Sequence, residues 1–177
     1  TMHTVWIEKA VYAKDQLRQR VAWALSQIVV VRPSIRDEGP VTMYDIFVRN
    51  ALGSYRDILQ EATYNPVMGA WLTHTGSASF DWTGFSPNEN YARELMQLFS
   101  IGLEQLNPDG SARLDAQGAP VPTYGTRHIL SFSRVLTGFV THHNRNNVEF
   151  QPGDSLVDPL YIDVSMHDAY PKPDLYG

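Results

Sequence analysis

The chain has no cysteine. Disulfides, thiolate metal ligands and cysteine nucleophiles are therefore excluded, and the redox compartment is left open. Nor is there a wholly apolar run approaching the roughly 20 residues that a membrane helix needs. Positive charge is scarce: 14 Lys and Arg stand against 19 Asp and Glu, for a formal net charge of −5. No basic cluster interrupts that balance, which argues against nucleic acid as a partner. The sequence contains no Gly-x-Ser-x-Gly elbow, no Walker-type phosphate loop and no Gly-x-Gly-x-x-Gly. Serine hydrolase, NTPase and dinucleotide-enzyme readings lose their usual support. Thr1-Met2-His3 leads straight into helix-like sequence, so no signal-peptide pattern is read there. No internal repeat or low-complexity segment is read either.

What is present describes an ordinary globular chain. It has 177 residues, 43% of them apolar, enough for a single domain with its own core. Residues 4–14 are weakly patterned helix. Asp15 caps a helix to about Val31, with Leu17, Val21, Ala24, Leu25 and Ile28 inward and the Ile28–Val31 run as its buried end. Arg32-Pro33 stops it, and 34–40 is a loop. A helix over 41–51 turns Ile46, Phe47 and Ala51 inward. Ser54 caps a helix over 55–63 with Tyr55, Ile58, Leu59 and Ala62 on one side. Asn65-Pro66 opens a short helix over 66–73. Residues 74–85 are a Gly/Ser/Thr-rich loop in which Phe80, Trp82 and Phe85 are expected to pack down. The turn signals Asn107-Pro-Asp-Gly110 and Asp115-Ala-Gln-Gly118 predict a β-hairpin over 104–124. Asn107–Gly110 lacks the ligand spacing of a calcium loop. Thr126 caps a helix over 127–137, lined by Ile129, Leu130, Phe132, Val135 and Leu136 and ended by Gly138. From 139 to 177 the pattern is irregular.

The stretch that organises the rest is Ser86-Pro-Asn-Glu-Asn-Tyr-Ala-Arg-Glu-Leu-Met-Gln-Leu-Phe-Ser-Ile-Gly102. Ser86 and Glu89 have the spacing of a capping box, Pro87 falls at the first helical position, and Gly102 is placed to stop the helix. At about 100° per residue, Tyr91, Leu95, Leu98, Phe99 and Gly102 share one face. Asn90, Arg93, Glu94 and Gln97 lie opposite, with Glu94 at the border of the apolar face.

This stretch resembles the signature helix of the bacterial family called domain of unknown function 1800. Three further segments match in the same order: 17–31, Arg134-Val-Leu-Thr-Gly-Phe139, and His167-Asp168 with Lys172 and Leu175-Tyr-Gly177. The resemblance implies a mainly α fold, a multi-helix domain with a small β-hairpin insertion and an irregular C-terminal segment. It also implies that 1–177 is the middle of a larger family domain, and that the protein is exported, to the periplasm or outside the cell. On that footing the parts are a helical body (4–102), a hairpin (104–124), a helix (127–137) and an irregular tail (139–177). Apolar faces uncovered within the chain would meet a second copy or flanking chain.

Candidate site residues follow from chemistry and from the motif. Glu94, Asp168 and His167 are the acid/base candidates; Asn90, Arg93, Gln97, Arg134 and Lys172 are binding candidates. The same residues read equally as a structural polar seam between helices. For metal, His142, His143 and His167 are weak candidates, because the sequence shows neighbours along the chain and not convergence in space. The sequence leaves the cofactor open. A half-buried Glu94 needs a partner from another element, and Arg134 is expected first, ahead of His167 and Lys172. Three functional readings stand: an exported protein of unresolved activity, a hydrolase of polysaccharide or ester through a Glu/Asp/His site, and a non-catalytic surface or assembly protein.

Overall fold

The computed structural model describes residues 2–32, 38–143 and 153–176. The fold is mainly α: α1 (Met2–Tyr12), α2 (Gln16–Ser26), α3 (Glu38–Asn50), α4 (Tyr55–Thr63), α5 (Pro66–Trp71), α6 (Phe80–Thr83), α7 (Asn90–Gln97) and α8 (Thr126–Val135). Two short antiparallel strands, β1 (Phe139–Val140) and β2 (Tyr161–Ile162), pair with Phe139 opposite Ile162. Pro33, the 34–37 part of the expected loop, Pro152 and Gly177 lie outside the described residues.

The core joins α2, α3, α4, α7 and α8. Ala22, Met43, Phe47, Ile58, Ala62, Tyr91, Met96, Phe99, Ile129 and Phe139 form one buried cluster. Burying a large apolar side chain contributes about 1.5–3 kcal/mol, against about 1 kcal/mol for a helix cap, so packing decides this fold. In α3, Ile46, Phe47 and Ala51 are buried as the periodicity predicts. In α2 the buried face is rotated from the expected one. It centres on Ala22, which is fully buried, while Leu17 is 68% exposed and Ile28 lies outside. The small Ala22 lets α3 approach, and Arg18 ties the crossing by donating from Nη1 to the Val48 carbonyl at 2.9 Å. After Ser26 the chain is no longer helical; Val29 is buried while Ile28 and Val30 face out.

The signature helix is shorter than its sequence promised. It begins at Asn90, and Ser86 is exposed and caps nothing. The Asn88 side chain accepts the Asn90 N–H at 2.9 Å instead, and the Asn88 N–H is held by Ser77 Oγ at 3.1 Å. Beyond Gln97 the turns widen. Phe99 N–H reaches the Glu94 carbonyl and Gly102 N–H the Met96 carbonyl, at 3.0 and 2.9 Å, and Gly102 closes the run at φ 72°. The lengthened period puts Phe99 in the core and leaves Leu98 59% exposed, against the expected face. In α8, Leu130 and Val135 also face out, while Ser131 and Ser133 are buried with their hydroxyls donated to the Pro173 and Leu130 carbonyls. Thr126 is the first residue of α8, and Gly125 holds the cap position.

The insertion between α7 and α8 is more than a hairpin. Segments 103–107, 111–115 and 119–123 close into a triangle. Arg113 N–H donates to the Gln105 carbonyl, Val121 N–H to that of Arg113, and Gln105 N–H to that of Val121, at 2.8, 2.9 and 2.9 Å. The bridges Leu106↔Ala112, Leu114↔Pro120 and Glu104↔Pro122 follow the same rotation. Each partner recurs eight residues on, as do Gly102, Gly110 and Gly118, with φ of 72°, 83° and 79°. The chain therefore contains an internal repeat that the sequence reading missed. The turn glycines and backbone pairing recur in all three segments, whereas among the bridge side chains only Leu106 and Leu114 match. Closure leaves no open edge, which suits an element of such small core. Asp109 Oδ1 accepts the Ser111 N–H at 3.0 Å and Asp115 Oδ1 those of Gln117 and Ala119 at 2.9 Å each, so both carboxylates serve turns.

The loop after α5 is anchored by its small residues. Gly76 N–H donates to the Phe139 carbonyl, Gly138 N–H to that of Ser77, and Ser79 N–H to that of Met166, at 2.8, 2.7 and 2.8 Å. Ala78 is buried, whereas Phe80, Trp82 and Phe85 face outward, contrary to expectation. The backbone contacts that hold the loop down turn α6 away from the core. Gly138 lies where these strands of chain meet: its φ is 82°, and a Cβ there would sit 2.7 Å from the Asp163 carbonyl oxygen. Gly138→Ala is expected to lower stability by about 1–3 kcal/mol, through overpacking and left-handed backbone strain. Urea denaturation checks this, and a loss below about 0.5 kcal/mol would show that the junction has room to relax.

Candidate functional site

Asp168 is the best-held charged group in the described chain. It is 5% exposed. Arg134, from the last turn of α8, grips it with both arms of its fork: Nε donates to Oδ2 and Nη2 to Oδ1, each at 2.9 Å. The Tyr170 N–H adds a third bond to Oδ1 at 3.0 Å. Lys172 stands 3.6 Å from Oδ1 and donates Nζ to the Asp168 and Tyr170 carbonyls. The Asp168 N–H donates to Thr137 Oγ1 at 2.8 Å, and that hydroxyl donates to the Arg134 carbonyl at 2.8 Å. The Arg134 hydrogen bonds outweigh burial and hold the Asp168 carboxyl down at about 2, with help from Tyr170 N–H and the charges of Arg134 and Lys172. Such a group is ionised at neutral pH with both oxygens engaged, which suits a clamp better than a proton-transfer role.

The expected pairing of Arg134 with Glu94 is therefore corrected: a carboxylate four residues ahead of Lys172 takes the guanidinium. Arg93 turns back along its own helix to Glu89 at 2.9 Å. Glu94 is more buried than Arg93, as expected, with Oε2 removed from water and no hydrogen-bond partner among the described residues. Among the described residues no hydrogen bond joins the side chains of Asn90, Arg93, Glu94 or Gln97 to the Asp168 clamp, which gathers Arg134, His167, Asp168 and Lys172.

His167 donates from Nδ1 to the Thr137 carbonyl at 2.8 Å, since a carbonyl can only accept. This fixes the ring and leaves Nε2 as its free nitrogen. His167 lines an open groove of about 400 Å³ together with Ser79, Asp81, Trp82, Asp168 and Tyr170. His142 and His143 are exposed and lie elsewhere: the His142 ring packs 4.6 Å from Tyr161, and His143 bridges to Asp154. No group of three or more His, Asp or Glu able to hold a metal occurs among the described residues.

One buried residue escaped the sequence reading. His74 is 0% exposed, stacked 4.2 Å from the Tyr91 ring and edge-on to Phe139 at 5.5 Å. Its Nε2 donates to the Thr63 carbonyl at 2.9 Å and its Nδ1 has no partner. The Thr63 hydroxyl donates to the Leu59 carbonyl at 2.7 Å, so the Tyr91 hydroxyl, 2.8 Å away, must donate to Thr63. Burial pushes His74 down to about 4 and Tyr91 up to about 12. No local sequence signal marks it: the preceding Thr73 adopts φ 61°, where glycine is usual.

Helix-rich architecture, a closed polar clamp on the last helix and a shallow groove beside it define a class with none of the familiar enzyme signatures. The chain belongs to the family described as protein of unknown function (DUF1800), whose model matches residues 1–175. No curated protein and no solved structure matches it.

Two groups make stability pH-dependent in the same sense. His74 binds its proton near 6.5 when unfolded and near 4 when folded, so its contribution is complete above 6.5 and falls away toward pH 4, by about 3 kcal/mol. Asp168, at about 2 against 3.8, adds a further loss of about 2 kcal/mol as pH falls through that window. Urea titrations from pH 8 to 2 are expected to show both steps, with the upper one missing in His74→Phe. At pH 7, Asp168→Asn is expected to cost about 2–3 kcal/mol by leaving Arg134 unpaired. An unchanged midpoint would remove the clamp from the list of what holds the tail.

Proposed function

We propose that this chain is a non-catalytic binding or assembly protein of the bacterial cell exterior. The observation that carries the reading is the closed state of the Asp168 clamp. A hydrolase of the Glu/Asp/His type needs an acid and a base poised near working pH on either side of the substrate. Here the Asp168 carboxyl lies near 2 with both oxygens engaged. Glu94 is not among the residues lining the groove that His167 enters. Exposed large apolar residues, among them Trp82, Phe85, Leu98 and Leu106, suit a surface that meets another molecule. The exterior location rests on the family resemblance. No helix among the described residues is long and apolar enough to cross a membrane.

The test is turnover. Purified protein incubated with soluble polysaccharides and chromogenic esters is expected to release no product above buffer. A product whose formation disappears in His167→Ala, with thermal stability unchanged, would establish the hydrolase instead.

A further inference from the structure

The groove between α6 and the 163–170 turn is built as a recognition site. Its two walls are fixed to one another by the Ser79 N–H on the Met166 carbonyl at 2.8 Å. The turn is held from within: Asp163 Oδ1 accepts the Ser165 N–H at 2.9 Å, and the Met166 and His167 N–H groups both reach the Asp163 carbonyl at 3.1 Å. The floor is the Asp168 clamp. A groove held this way loses little freedom on binding. At about 400 Å³ it falls within the ordinary range for ligand sites.

Its rim carries two aromatic rings left in water, Trp82 at 58% and Tyr170 at 59% exposed. The same groove is lined by Asp81, Ser79 and His167, whose Nε2 is left free by the Nδ1 bond. The Ser79 oxygen accepts the Trp82 backbone N–H at 3.3 Å. The Asp81 carboxylate beside the Tyr170 hydroxyl raises that phenol, which marks the two groups as neighbours.

These groups select a chemistry. The nearby cations, Arg134 and Lys172, are spent on Asp168 and on backbone carbonyls, so nothing is left to take an anion. Around the groove Arg134 and Lys172 stand against Asp168, Asp81 and Asp163, a balance of −1, so no strong field of either sign selects an ion. No three metal-binding side chains converge among the described residues. What remains is a neutral molecule with apolar faces for the rings and hydroxyl edges for the acceptors. We infer that this groove binds a neutral carbohydrate chain, with Trp82 and Tyr170 stacking on sugar faces and Asp81, Ser79 and His167 taking hydroxyl groups. Aromatic side chains with one wet side suit that contact.

The inference rests on the binding-protein reading only in expecting no cleavage. The experiment is titration of the whole chain with cellohexaose, chitohexaose and maltohexaose, followed by tryptophan fluorescence and calorimetry. At least one is expected to saturate, with Trp82→Ala weakening it tenfold or more and Asp81→Asn weakening it several-fold. Both side chains are exposed, so Tm should hold in each variant; Tyr170→Ala serves as a second probe should Trp82→Ala fail to fold. Absence of binding up to about 10 mM of all three sugars would overturn the inference. So would wild-type affinity in both aromatic variants, or saturation by tetramethylammonium where the sugars leave the signal unchanged. Cleavage of a bound hexaose would refute the non-catalytic reading and leave the binding site standing.

Discussion

The irregular C-terminal part of this protein depends on one ion pair. Arg134 and Asp168 meet through two parallel hydrogen bonds at 2.9 Å, with the carboxylate almost wholly removed from water. The segment from 163 to 176 has no helix or extended sheet of its own to hold it. The Ser79 N–H on the Met166 carbonyl and His167 on the Thr137 carbonyl also tie the turn carrying Ser165, His167 and Tyr170, and the ion pair is its charged anchor. A planar guanidinium matched to a planar carboxylate sets both distance and orientation, which an apolar contact of equal strength would not. Thr137 extends the constraint by holding the Asp168 N–H and the Arg134 carbonyl with one hydroxyl. The groove inherits its rigidity from this arrangement.

A second constraint sits in the core and is of the opposite kind. His74 is polar yet surrounded by rings, and it is kept neutral because charging it there would cost more than its one backbone bond returns. It joins the loop after α5 to α4 through Thr63 and to α7 through Tyr91. The two arrangements divide the labour. The His74 stack fixes the signature helix against the body, and the Asp168 clamp fixes the tail against α8. Residues 76–79 and 138 connect them through backbone hydrogen bonds, and at Gly138 a side chain would meet the Asp163 carbonyl.

The triangular insertion shows how much regularity can hide in a chain. Its three segments obey one rotation in backbone pairing, yet Leu106 and Leu114 share their position with Pro122. Glycine at the turns is the sole residue type the geometry demands, because each turn needs a positive φ.

Local information was enough for the helical class, for α3 with Ile46 and Phe47 inward, for α4 with Ile58 and Ala62 inward, for the start of α5 at Pro66, and for the turns at Gly110 and Gly118. Each depends on neighbours within a few residues, where periodicity and turn chemistry act directly. The motif residues Arg134, His167, Asp168 and Lys172 were also legible, but their partnerships were not. Glu94 and Asp168 are both carboxylates, and nothing local says which of them Arg134 will find. The tertiary structure made that choice by bringing the tail to the last turn of α8. It also rotated α2 onto Ala22, widened the end of α7 so that Leu98 turned out while Phe99 stayed inside, and turned Trp82 and Phe85 outward. The physical reason is common to all of these. A sequence specifies which faces are apolar to within a turn, while the area actually buried is settled by how closely two backbones can approach, and that is a property of the pair.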